Sequence, residues 1–145
     1  MKRIEIEMEL IQIGIYCNII SDLINKYEQL SIIKISVFAY LIKKNKFIPN
    51  KVYTANNTQD IISKCISLLS GDYEEYCKSM KYIIKSMDIL ISANKLCVKN
   101  DLLIRNENTR VEKSIYVRDA FLENTIKSSN KISDRQFLKE VIQNV

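Results

Sequence analysis

Between Gly71 and Asn94 the apolar residues Tyr73, Tyr76, Cys77, Met80, Ile83, Ile84, Met87, Leu90 and Ile91 recur at steps of three and four, the period of an amphipathic helix. Asp72 stands where a capping residue is expected. From Leu96 the period changes to two: Leu96 and Val98 precede the pair Asn100-Asp101, and Leu102 and Ile104 follow it. Asn and Asp tolerate the positive φ of a tight hairpin turn, so this stretch reads as two short antiparallel strands. A long helix running into a small hairpin is the second half of a winged helix-turn-helix. That shape serves DNA binding in some proteins and protein binding in others, so it fixes an architecture before it fixes an activity.

The rest of the chain has to be compatible with that unit. Only two Gly and one Pro among 145 residues, with 47% hydrophobic and 27% charged, favour long regular elements over disorder or a turn-rich all-β design. A chain of this length fits one domain that buries roughly 70% of its unfolded surface. The expected fold is mainly α with a small β-hairpin: one winged helix-turn-helix-like domain over 1–145. A strand or helix at 1–29, a helical core with hairpin wing at 30–105 and C-terminal helices at 106–145 make it up.

In order, residues 4 to 10 alternate as Ile-Glu-Ile-Glu-Met-Glu-Leu, which by period alone is a strand with carboxylates on one face. Lys2 to Glu7 is therefore a candidate short strand, with the hairpin as its expected partner. Met8, Ile11, Ile15, Ile19, Ile20, Leu23, Ile24 and Tyr27 then follow helical spacing, predicting a first helix from about Glu9 to Gln29. Ser31 can cap a second helix, Ile32 to about Lys44, apolar almost all round and so expected at the centre of the core. Phe47 to Asn57 reads as a loop. Thr58 opens a shorter helix with Ile61, Ile62, Cys65, Ile66, Leu68 and Leu69 on one stripe, ended by Gly71 as a left-handed C′ residue. After the hairpin a polar connection, Asn106 to Thr109, leads to a helix from about Arg110 to Lys127. Ser128 to Lys131 breaks it, and Ser133 with Gln136 forms a capping-box pattern before a last helix carrying Phe137, Leu138, Val141 and Ile142.

The chemistry available is sparse. There is no His, which removes the commonest general base, the usual zinc ligand and the Ser-His and Cys-His nucleophile pairings. Two glycines, Gly14 and Gly71, cannot build a phosphate-cradling loop. Cys17, Cys65, Cys77 and Cys97 lack paired metal-ligand spacing and read as reduced structural thiols. The expectation is a non-enzyme without cofactor or small-molecule substrate, soluble and cytoplasmic. Its longest uncharged apolar runs, such as Ile35 to Ile42, are far below a membrane span.

The formal charge of +5 comes mostly from Lys in a chain also rich in Ile and Asn, a compositional bias more than a nucleic-acid signature. One polar constellation remains. Lys78, Lys81 and Lys85 share the outer face of the long helix, and Lys99 and Arg105 flank the hairpin, positions from which a winged helix reaches phosphates. Such a stripe is also the ordinary solvated face of an amphipathic helix, and it lacks the Arg, Asn and Gln that read base edges. Tyr16, Tyr116, Val117 and Phe121 lie off the main stripes and are the candidates for facing a partner protein.

The order of elements resembles the middle component of the three-component ABC-ATPase systems, the group that includes the small subunit of Lamassu-type antiphage defence. The likeness lies in the apolar helix LSIIKISVFAYLIKKNKF, the helix beginning TQDIISKCISLLS, the segment YCKSMKYIIKSMDILISANKLCVKNDLLIRN and the tail SSNKISDRQFLKEVIQNV. It is a pattern of elements and hydrophobic positions without an invariant motif. The resemblance implies a non-catalytic subunit joining an SMC-like or Rad50-like ATPase to an effector such as a nuclease, in bacterial defence against phage or plasmids. A winged-helix DNA-binding regulator is the alternative reading.

Overall fold

A computed structural model describes residues 2–44, 58–106 and 120–144. The loop expected at 47–57 and the helix start expected at 110–119 lie outside the described residues. The described elements are α1 (Lys2–Tyr27), β1 (Gln29–Ser31), α2 (Ile32–Lys44), α3 (Thr58–Ile66) with a 3-10 turn at Ser67–Leu69, α4 (Tyr73–Ser92), β2 (Leu96–Lys99), β3 (Leu102–Arg105), α5 (Ala120–Ser129) and α6 (Asp134–Asn144). The fold is mainly helical with one small antiparallel sheet, as the sequence predicts.

Helix α4 and its hairpin form as expected. Gly71 takes φ 84° ahead of the helix, and Asn100 and Asp101 take φ 52° and 64° in the turn. Asp72 does occupy the N-cap position, but its side chain makes no capping bond. Its carboxylate instead accepts from the Tyr40 hydroxyl at 3.5 Å, which ties the start of α4 to α2.

Two expectations at the start of the chain are corrected. Lys2 to Glu7 is not a strand: it is the opening of α1, a helix of 26 residues. The hairpin's partner is Gln29–Ser31 instead, in the sheet order β1-β3-β2 with Leu30 opposite Leu103. Glu28, at φ 66°, ends α1 in the left-handed region and turns the chain into β1. The bonds from Ile32 N–H to the Asp101 carbonyl (3.0 Å) and from Arg105 N–H to the Glu28 carbonyl (2.9 Å) then hold the hairpin to this bend. The sheet is short because β1 has only three residues, too few to leave a periodic signal.

The second correction concerns the phase of α1. The buried residues are Ile13, Tyr16, Ile19, Ile20, Leu23 and Ile24, whereas Met8 and Ile11 are exposed. With isoleucines on every side of this helix, side-chain type alone does not set its inward face. The α1–α4 contact sets it. Ser86 is small and fully buried, so the helices come close enough for its hydroxyl to reach the Ile13 carbonyl at 2.9 Å, and Cys17 Sγ lies 3.7 Å from the Ser86 carbonyl.

Helix α2 is central, with Ile35 to Leu41 buried without interruption. Phe38 packs on Phe137 of α6 with ring centroids 5.8 Å apart, and Tyr40 meets the edge of Tyr76 at 5.5 Å. The polar residues it carries inward are satisfied: Ser36 Oγ pairs with Tyr76 Oη at 2.9 Å, and Lys34 Nζ donates to the Ile132 carbonyl at 2.7 Å. Burial lowers the pKa of Lys34, and Asp134 opposes that shift. This lysine pins the α5–α6 turn to the core. At that turn the capping box forms in both directions, Ser133 N–H to Gln136 Oε1 at 3.1 Å and Gln136 N–H to Ser133 Oγ at 3.2 Å.

Candidate interaction surfaces

The five cationic candidates do not act as one patch. On α4, Lys78 pairs with Glu74 one turn back at 3.6 Å, in the favourable order of acid before base. Lys81 reaches Glu9 of α1 at 3.6 Å and lies 4.9 Å over the Tyr82 ring. Tyr82, by hydrogen bonding and then by charge, raises its pKa, and the Glu9 charge adds to that. Lys85 is exposed on the same face.

On the wing, strand parity separates Lys99 from Arg105. Lys99 stands opposite Leu102, and Arg105 shares its face with the fully buried Leu103. Arg105 is therefore turned toward the helices. Its guanidinium donates to the Asn25 carbonyl at 3.1 Å and lies 3.6 Å from Glu28, closing the end of α1. Lys99 keeps its exposure. The solvent-facing cations are thus Lys78, Lys81, Lys85 and Lys99, two of them already beside carboxylates.

Of the residues expected to face a partner, Tyr16 is corrected: it is fully buried between α1, α2 and α4, with Lys43 Nζ 5.7 Å above its ring. Burial raises its pKa, with the Ser79 hydroxyl opposing that shift and Glu75 adding to it. Tyr116, Val117 and the side chain of Phe121 lie outside the described residues.

The densest run of exposed large apolar residues is at the start of α1, where Ile4 and Ile6 were expected in a strand and Met8 and Ile11 on the inward stripe of a helix. Ile4, Ile6, Met8, Leu10 and Ile11 each keep between 56% and 61% of their surface in solvent. At 3.6 residues per turn, Ile4, Met8 and Ile11 form one stripe and Ile6 and Leu10 another, roughly 150° apart. Glu5 and Glu9 lie between them. Period two on a helix spreads apolar groups over two sides, so this segment cannot bury both against one neighbour. The alternation itself carries that signal: projected on a helix, it puts apolar groups on two sides. On α6 the same holds in miniature: Phe137 and Val141 are buried, and Leu138 and Ile142 face out.

Beside this exposed segment, a groove of about 790 Å³ opens between the first half of α1, the end of α2 and the first half of α4. Glu5, Met8, Glu9 and Gln12 line one side, and Lys43, Lys44, Glu75, Lys78, Lys81 and Tyr82 line the other. Lys44 reaches Glu75 at 3.3 Å. Burial, and then the neighbouring Lys44, lower the pKa of Lys43. Among the described residues no group of three or more Cys, Asp or Glu is placed to hold a metal ion, and no helix is long and apolar enough to cross a membrane. The chain matches no protein-family model, no curated protein and no solved structure.

Proposed function

We propose that this chain is a non-catalytic interaction subunit, an adaptor joining an SMC-like or Rad50-like ABC ATPase to an effector such as a nuclease in bacterial defence against phage or plasmids. The ATPase and effector come from the resemblance of the chain's element order to the middle component of three-component ABC-ATPase systems. The observation that supports an interaction role is the first half of α1, where five large apolar side chains stand in solvent on a helix that continues into the core. Large apolar side chains concentrated in one short segment, here on two sides of a helix, mark a binding site more often than singly scattered ones do. The test is recovery of the tagged chain from its host through a high-salt wash. Co-purification of an ATPase and an effector in fixed ratio supports the reading; recovery of the chain without other proteins counts against it.

A second reading, a winged-helix regulator that contacts DNA backbone, draws on the exposure of Lys85 and Lys99. It requires affinity that falls steeply with salt. Replacing Lys78, Lys81 and Lys85 by Glu abolishes DNA binding under that reading and leaves complex assembly intact under the first.

A further inference from the structure

The three-stranded sheet ends at β2 in an edge whose bonding groups follow from register. The two-residue turn Asn100-Asp101 makes Lys99 and Leu102 a hydrogen-bonded pair, and in an antiparallel ladder such pairs alternate. Cys97 with Ile104 and Lys95 with Asn106 are then the next two, and the Asn106 N–H does donate to the Lys95 carbonyl at 3.2 Å. The other side of β3 agrees. Arg105 N–H bonds the Glu28 carbonyl and Ile32 N–H bonds the Asp101 carbonyl, so the odd-numbered residues from Asp101 to Arg105 serve β1. Lys95, Cys97 and Lys99 therefore bond inward to β3, while Leu96 and Val98 direct two N–H and two C=O groups away from it. In the order β1-β3-β2, no strand among the described residues lies on that side.

The side chains along this edge say what fits it. Val98 shares the inner face with the fully buried Leu103 yet keeps 47% of its surface in solvent, so the helices stop short of it and an added apolar side chain would cover it. On the other face Lys95 and Lys99 are exposed at the two ends of the strand, with Cys97 between them. These charges work against pairing with a second copy. The register that uses every edge group sets Leu96 opposite Val98 of the copy and so each Lys99 opposite a Lys95, like charges face to face. A strand with carboxylates at those places reverses the sign. We infer that β2 is an addition site for an extended acidic segment of a partner protein, in the pattern acid, apolar, any, apolar, acid. Its two apolar residues bond antiparallel to Leu96 and Val98, and its acids lie beside Lys95 and Lys99.

This edge is separate from α1 and stands or falls apart from the docking role given to that helix. The probe is the synthetic peptide acetyl-Ser-Glu-Val-Thr-Val-Glu-Ser-amide, titrated into the full chain and followed by amide hydrogen exchange in NMR spectra. At saturation, exchange of the Leu96 and Val98 N–H groups should slow by more than about tenfold, while Cys97 and Lys99, already bonded to β3, stay unchanged. Val98→Pro removes one edge donor without touching the β3 ladder, a change that an edge strand tolerates, and should abolish binding. Lys99→Glu should weaken binding by about fivefold and improve binding of the same peptide with Lys in place of both Glu. No saturable binding up to about 1 mM peptide overturns the proposal. So does protection spread equally over Leu96 to Lys99, or equal affinity of the wild-type chain for the Glu and Lys peptides. Self-association of the wild-type chain that Val98→Pro abolishes would put a second copy on this edge and overturn the acidic segment as its occupant.

Discussion

Helix α1 is one continuous helix with two different halves. From Ile13 onward it contributes Tyr16, Ile19, Ile20, Leu23 and Ile24 to the core, each essentially without solvent exposure. Before Ile13 it carries Ile4, Ile6, Met8, Leu10 and Ile11 and buries none of them. The first half is also the more charged, with Lys2, Arg3, Glu5, Glu7 and Glu9, but its apolar residues are as large, and neighbours decide which are covered. The second half lies against α4 at the Ser86 contact and against α2, and its end is clasped by the wing through Arg105. Along the first half α1 and α4 are parted by the groove, bridged by the Lys81–Glu9 pair. Large apolar side chains in both halves with unequal burial separate what the fold needs from what it leaves for association.

The largest effects belong to the buried half. Tyr16→Ala and Ile20→Ala should each lower the unfolding free energy by about 3–5 kcal/mol, through lost burial plus the cavity left behind. Urea unfolding measures this, and a loss under about 1 kcal/mol at either site would erase the contrast between the halves.

Next comes an alkaline transition. Tyr16, Tyr40 and Tyr76 all have raised pKa values, with burial the first cause in each. The folded chain keeps protons that the unfolded chain releases near the ordinary phenol value of 10.0. Stability is then fully present below that pH and falls as pH rises through the folded values. Unfolding midpoints followed from pH 8 upward, with phenolate absorbance on the same samples, should show ionisation of these tyrosines coinciding with unfolding. Early ionisation without unfolding would contradict their burial.

A smaller effect of opposite sign is expected where the two halves join. Gly14 is exposed, and a Cβ added there meets nothing within 4 Å. Gly14→Ala should therefore stabilise the chain by about 1 kcal/mol, the helix-propensity difference alone. Destabilisation on thermal or urea unfolding would mean that a neighbour already occupies that side of α1.

The same comparison shows what the sequence makes legible. Helix α4 and its hairpin could be read because several signals agreed there: one apolar stripe, a Gly before it, and an Asn-Asp turn whose φ values are positive as required. Helix α2 could be read because continuous apolar character has few other outcomes. Lys2 to Glu7 was misleading because alternation identifies a strand only when one face is buried, and here neither side is covered. The edge of β3 that such a strand would have used is taken by Gln29–Ser31. The local period points Tyr16 outward for a related reason: among so many isoleucines the phase of α1 depends on a small residue 70 positions away, Ser86, which no local period reveals. For the cationic candidates, position was legible and orientation was not, since the parity that turns Arg105 inward and Lys99 outward follows from register.

The central claim is that the first half of α1 serves association and not the fold. Its most direct test is the variant Ile4→Ser/Met8→Ser/Ile11→Ser, measured twice: unfolding free energy at a chain concentration low enough to remove association, and retention of its binding partners. The expected result is an unfolding free energy within about 0.5 kcal/mol of wild type together with loss of association. A drop of several kcal/mol in the isolated chain, or unchanged association, would contradict it.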